Sequence, residues 1–181
     1  STSRTNELAL DPDDGYLWRM PSRRMEAELV RDNMIWAAGE LDLTEGGPEL
    51  DQALGLSSKR RSLYFRSAAE KEVEFLKLFD GPNVTECYLR RPSVVPQQAL
   101  AMANSQLVVN EARGVCAKLA NRTEPDDFIE AAFLRILARR ATMDEVAACR
   151  AFLARPGLAP QRAREDLVTV LFNHNAFVTI R

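Results

Sequence analysis

Histidine is almost absent from this chain, with a single residue among 181. Cysteine is scarce too, at three. That leaves little material for a metal centre, and none is expected. Cys87, Cys116 and Cys149 are odd in number and widely spaced. There is no CxxC, and so no CxxCH to attach haem covalently. No apolar run approaches the ~18–20 residues of a membrane span. An excess of positive charge is missing as well. The net charge is −2, which excludes a broadly basic nucleic-acid binder. Neither the GxxxxGK[ST] of a phosphate loop nor the GxGxxG of a dinucleotide fold occurs. Lysine is rare among the basic residues, with 4 Lys to 20 Arg. Arginine favours forked contacts to carboxylates and carbonyls, so many of these side chains are expected in ion pairs.

What is present is the composition of a globular domain. Apolar residues make up 46% and charged residues 28%, which argues against disorder. A chain of this length buries roughly 70% of its unfolded surface, enough for a core without a metal or disulfide. The start, Ser1-Thr2-Ser3, lacks Met and shows no charged segment leading into an apolar one. Either something was removed from it or it is expected to be a cut from a longer chain. Residues 1–20 are polar and turn-rich and are expected to form an extended arm. Residues 21–181 are expected to form one helical domain.

Periodicity places the elements. Ser22 to Ala38 reads as a helix, capped by Ser22 and ended by Gly39. Met25, Leu29 and Trp36, with Val30, Met34 and Ala37 beside them, make one broad apolar face, and Glu26, Glu28, Arg31 and Asp32 fall mostly off it. Thr44 to Pro48 is a tight turn, and 49–59 has weak character. Residues 61–66 are short, aromatic and flanked by charge, a strand signal. Glu70 to Phe79 reads as a helix stopped by Asp80-Gly81-Pro82. Pro96 opens another helix. Val108, Ala112, Val115 and Leu119 make a helical stripe. Phe128, Ala132 and Ile136 make a second. Thr142-Met143-Asp144-Glu145 matches a capping box. A last helix covers 161–173, and 176–180 ends the chain as a strand. The expected fold is mainly α: a compact multi-helix domain with one short two-stranded β element, pairing 61–66 with 176–180.

Few residues carry a chemical signal. His174, between a helix end and a strand, is expected to bond backbone. Cys116 and Cys149 fall on apolar helix faces and read as small buried hydrophobes. Cys87 lies in a loop near Arg90 and Arg91, cations able to lower a thiol pKa. The doublets Arg23-Arg24, Lys59-Arg60-Arg61, Arg90-Arg91 and Arg139-Arg140 read as solvated or salt-bridged. They would form an anion site only if they converged in space. Asp126 and Asp127 sit where a helix begins, which its dipole explains.

Taken in order, several segments resemble one family. They are Arg23-Arg24-Met25-Glu26-Ala27-Glu28 through Arg31-Asp32, Gly39-Glu40-Leu41-Asp42 with Gly46-Gly47-Pro48, and Arg60-Arg61-Ser62-Leu63-Tyr64. Phe79-Asp80-Gly81-Pro82 follows. Next comes a block holding Cys87, Arg90, Pro96-Gln97-Gln98-Ala99-Leu100 and Asn104-Ser105. Asn173 to Arg181 closes the series. The chain resembles, from about Leu17 to Arg181, the planctomycete-type domain of unknown function 1553 family. The resemblance implies the C-terminal domain of an exported protein, periplasmic or extracellular, whose upstream domains often include a cytochrome-c-like one. Haem c would then belong to that partner domain, with no cofactor in this chain. The family supplies no catalytic residues to carry over.

Two functional readings stay open. The first is a non-catalytic structural or ligand-binding module. It would dock on upstream domains of its own polypeptide and bind an extracellular polysaccharide or anionic ligand. The alternative is part of an enzyme site for redox or polysaccharide chemistry shared with those domains. The candidate binding residues are Asp80, Cys87, Arg90, Arg91 and Gln97, because family-like polar residues concentrate there.

Overall fold

A computed structural model describes residues 5–66, 68, 73, 75–76, 79 and 95–180. In chain order its elements are α1 (Thr5–Leu10), β1 (Arg23–Arg24), α2 (Ala27–Ala38), α3 (Val95–Asn104), α4 (Gln106–Lys118), α5 (Pro125–Leu137), α6 (Met143–Leu153), α7 (Pro160–Phe172) and β2 (Thr179–Ile180). Short 3-10 turns lie at Gln52–Leu54 and Ser62–Tyr64. The expected class holds: mainly helical, with one short two-stranded antiparallel sheet.

Local signals set most helix ends. Pro125 and Pro160 open α5 and α7, where a missing N–H costs nothing. Thr142 Oγ1 accepts from the Glu145 N–H at 3.3 Å, and a Glu145 carboxylate oxygen accepts from the Thr142 N–H at 2.8 Å. This is the capping box expected for α6. Gly39 ends α2 at φ 75°, its N–H bonding back to the last turn. The stripes on α4 and α5 face inward, with Val108, Ala112, Val115, Phe128 and Ala132 all buried. The core forms where α4 packs on α2 and α7, and α6 bridges α5 and α7. Gly114 lies at the α2–α4 crossing. A Cβ there would stand 2.8 Å from the Ala38 Cβ, so only glycine permits so close an approach.

Four expectations change. The strand pairing with the chain end is Arg23–Arg24, not 61–66. Arg23 faces Ile180 and Arg24 faces Thr179. Residues 62–64 form a 3-10 turn because Asp32 takes the Ser62 backbone N–H, at 2.8 Å, together with its hydroxyl. A ladder would need that N–H. Asp42–Arg60 and Leu50–Phe65 remain as isolated parallel bridges. Helix α2 begins at Ala27, not Ser22. The chain before it is held in β pairing, and the Met25 N–H donates to the Val178 carbonyl at 2.8 Å. The first residues are helical at Thr5–Leu10 rather than extended. They lead into a turn in which the Asp11 carboxylate accepts from the Gly15 and Tyr16 N–H groups. On α2, Leu29 and Trp36 are exposed, whereas Arg31 and Asp32 are buried. The expected helix over 70–79 falls largely outside the described residues.

Candidate functional site

Of the five residues singled out by sequence, Asp80, Cys87, Arg90 and Arg91 lie outside the described residues. Gln97 is exposed on α3, while its neighbour Gln98 is buried. The Gln98 side-chain oxygen accepts from Arg24 Nη2 at 2.6 Å. Around that bond a small cavity of about 100 Å³ gathers Arg24, Phe79, Gln98, Asn173 and Asn175. Each comes from a motif that carried the family resemblance. Phe79 and Gln98 therefore meet beside Arg24 and the chain end.

Two other motifs meet in a structural clamp. Arg31 is 0% exposed. Its Nε donates to the Gly55 carbonyl at 2.8 Å, and Nη1 donates to the Arg60 carbonyl at 3.0 Å and Ser62 Oγ at 3.2 Å. Nη2 donates to the Ser58 carbonyl. Asp32 lies 3.4 Å from Nη1 and holds Ser62 from the other side. Burial pulls the Arg31 pKa down, opposed by Asp32 and Glu111. One guanidinium thus satisfies three loop carbonyls. Arg60 does the same for the glycine-bearing segment, which is irregular chain rather than the tight turn expected: Nη2 donates to the Thr44 and Gly46 carbonyls at 2.9 and 2.7 Å. Its guanidinium lies 4.1 Å from the Tyr64 ring centre. These motifs hold the 44–64 segment against α2, and their polar atoms are committed to that task.

Lys59 joins the same region to α4, its Nζ 2.5 Å from Glu111 Oε1 and 2.9 Å from Glu40 Oε2. Burial works against the Lys59 charge, but its two carboxylate bonds outweigh burial and raise its pKa. Burial pushes the Glu111 carboxyl up, against the pull of Lys59. Other described basic doublets are also consumed. Arg139 grips Glu145 with two bonds of 2.8 and 2.6 Å, and Arg140 lies 3.4 Å from Glu130. His174 bonds backbone, but its Nδ1 accepts from the Ala176 N–H at 3.0 Å rather than donating to a carbonyl. Burial lifts the Cys116 thiol to about 12 and raises Cys149 too, so neither is a nucleophile at neutral pH.

A cleft of about 530 Å³ lies between α2, the end of α5 and β2. Its size falls in the range of small-ligand sites. Met25, Ile136, Leu137, Phe177 and Ile180 form apolar walls, with Asn33, Trp36, Arg135, Arg139 and Thr179 among the remaining lining residues. Trp36 is 56% exposed. The Arg135 guanidinium lies 5.9 Å from its ring centre, and Arg135 Nε donates to the Ala37 carbonyl. No carboxylate, histidine or cysteine is among the described lining residues. An indole face, an amide and cations suit binding by stacking and hydrogen bonds. They offer no base near neutral pH. Among the described residues no group of three or more His, Cys, Asp or Glu is placed to hold a metal.

Sequence reasoning missed this cleft. Trp36 reads as a core residue by hydrophobicity alone. The available signal was Arg31, which occupies the i+4 position of the Ala27, Val30, Met34, Ile35, Ala38 stripe. That stripe, not one centred on Trp36, faces inward. Among the described residues no helix is long and apolar enough to cross a membrane. Residues 1–153 match the family PSD1, described as a protein of unknown function (DUF1553). That span includes every resembling segment except the closing Asn173–Arg181. No curated protein and no solved structure matches the chain.

Proposed function

From the premise that the chain belongs to the PSD1 family of proteins of unknown function, we propose that it is a non-catalytic ligand-binding module that holds a saccharide in the Trp36 cleft. The observation that carries this reading is the half-open indole of Trp36 in a cleft of about 530 Å³ that has amides and cations but no described carboxylate. A sugar ring presents apolar C–H groups on one face and hydroxyls at its edge. The first suits an indole, and the second suits Asn33 and Arg135. An exported, periplasmic or extracellular setting supplies polysaccharide as ligand. Upstream domains of the same polypeptide are the natural docking partners. A haem c would belong to one of these, since this chain has no CxxCH. The convergence of Arg24, Phe79 and Gln98 on one small cavity favours the rival reading, an enzyme site shared with those domains through Asp80, Cys87, Arg90, Arg91 and Gln97.

One experiment addresses both. In a Trp18→Phe background, Trp36 alone reports. Titration with galactan, sulfated galactan and polygalacturonate oligosaccharides is expected to shift its fluorescence. Trp36→Ala, in the otherwise unchanged chain and followed by calorimetry, is expected to weaken binding by about tenfold or more, and Trp36→Phe by less. Absence of binding by every oligosaccharide to a folded chain overturns the module. Cleaved or oxidised sugar among the products, from the full-length parent, replaces it with the enzyme.

A further inference from the structure

We propose that Lys118 and Arg135 form an anion site at the rim of this cleft, which takes the sulfate or carboxylate of an acidic sugar. The proposal rests on the cleft reading above and names the ligand class. Lys118 ends α4 and Arg135 lies in the last turn of α5, yet the two side chains meet over Gly39. Arg135 Nη2 lies 3.2 Å, and Lys118 Nζ 3.3 Å, from the point where a Cβ on Gly39 would stand. Two cations so placed repel each other unless a negative group offsets them. Among the described residues neither has a carboxylate within ion-pair distance. Glu40, the residue after Gly39, is engaged with Lys59 at 2.9 Å.

Capping of α2 does not account for both cations. The Ile35 and Trp36 carbonyls are taken by the Glu40 and Gly39 N–H groups. The Ala37 carbonyl is taken by Arg135 Nε. This leaves the Arg135 Nη2 edge and the whole Lys118 ammonium for another acceptor. Gly39 serves the same place. Its φ of 75° ends the helix, and any side chain there would meet the Lys118 stem at 2.6 Å. A sugar ring lying on Trp36, three residues earlier, would hold its acidic substituent next to this pair. Charge-assisted bonds to a guanidinium and an ammonium are the stronger kind, so acidic sugars should be preferred over neutral ones.

The test compares an uncharged galactan tetrasaccharide, its sulfated form and a tetragalacturonate at fixed ionic strength, using the Trp18→Phe chain and Trp36 fluorescence. At least one acidic probe is expected to bind about tenfold more tightly than galactan. Lys118→Gln should reduce that preference to about twofold and leave galactan binding unchanged, whereas Lys118→Arg should keep it. Preference for the sulfated probe identifies sulfate as the group taken, and preference for tetragalacturonate identifies carboxylate. Equal affinity for all three, or a preference that survives Lys118→Gln, overturns the anion site and leaves the cleft reading standing. No binding by any probe overturns both.

Discussion

Single residues here are read correctly only with their partners. Glu145 shows this. It caps α6 through the Thr142 N–H and receives both Arg139 nitrogens. The Arg139 bonds pull its pKa from an ordinary 4.5 down to about 2, against the opposing cost of burial and with Thr142 adding to the effect. A lowered acid pKa contributes stability that is complete above the unfolded value. That contribution is lost as the pH falls from about 4.5 towards 2. Glu145→Gln cannot ionise and keeps only weaker bonds. At pH 7 the variant is expected to be less stable by about 1 kcal/mol. At pH 3 the difference should shrink. Urea unfolding at both pH values checks this, and an unchanged difference would refute it. The same scale explains a misreading. Cys116 was legible as a buried hydrophobe because a small apolar residue on a stripe faces inward, whereas Cys149 is only half-buried. Arg31 was not legible, since no local rule buries a guanidinium. Its burial depends on three carbonyls about 24 to 29 positions away.

At the scale of elements, the family-like segments divide into two groups. Arg31-Asp32, the glycine-bearing segment and Arg60 to Tyr64 build a clamp. Arg24, Phe79, Gln98 and Asn173 border a cavity. The clamp gives an element-level prediction. Arg31→Met should leave three carbonyls and the Asp32 carboxylate short of partners. Its cost is expected to be about 3 kcal/mol or more. It should also release the 44–61 segment, so limited proteolysis should cut there first. Cleavage confined to the ends of the variant would count against the clamp. Helix boundaries at α5 and α6 were legible because Pro at the first turn and the capping box act within four residues, whereas α7 takes in Pro160, one residue before the expected start. The strand expected at 61–66 failed for a non-local reason. Asp32 on α2 removes the Ser62 N–H from any ladder, and a strand pattern carries no record of that competitor.

At the scale of the molecule, β1 and β2 join residues 23–24 to 179–180. Phe177 and Val178 are buried just before the second strand, within the same apolar core as α2, α4, α5 and α7. Helices sharing one core should unfold together. In urea, Trp36 fluorescence and helical circular dichroism are therefore expected to lose signal at the same midpoint. Deleting residues 177–181 should lower that midpoint markedly, because it strips two buried side chains and the β2 pairing. Separate midpoints for the two probes in the intact chain would show α2 to be a distinct unit.

Sequence by itself determined the helical class, the helical stripes of α4 and α5 and the capping box of α6. These follow from backbone preferences and periodicities that act over a few residues. Tertiary structure decided which segment pairs with the chain end, that Arg31 is the buried side of α2, and that Trp36 is open. It also brought Lys118 and Arg135 together over Gly39 from two different helices. Each of these depends on competition among groups far apart in sequence for the same hydrogen bonds and the same space, and that competition is resolved only when the helices pack.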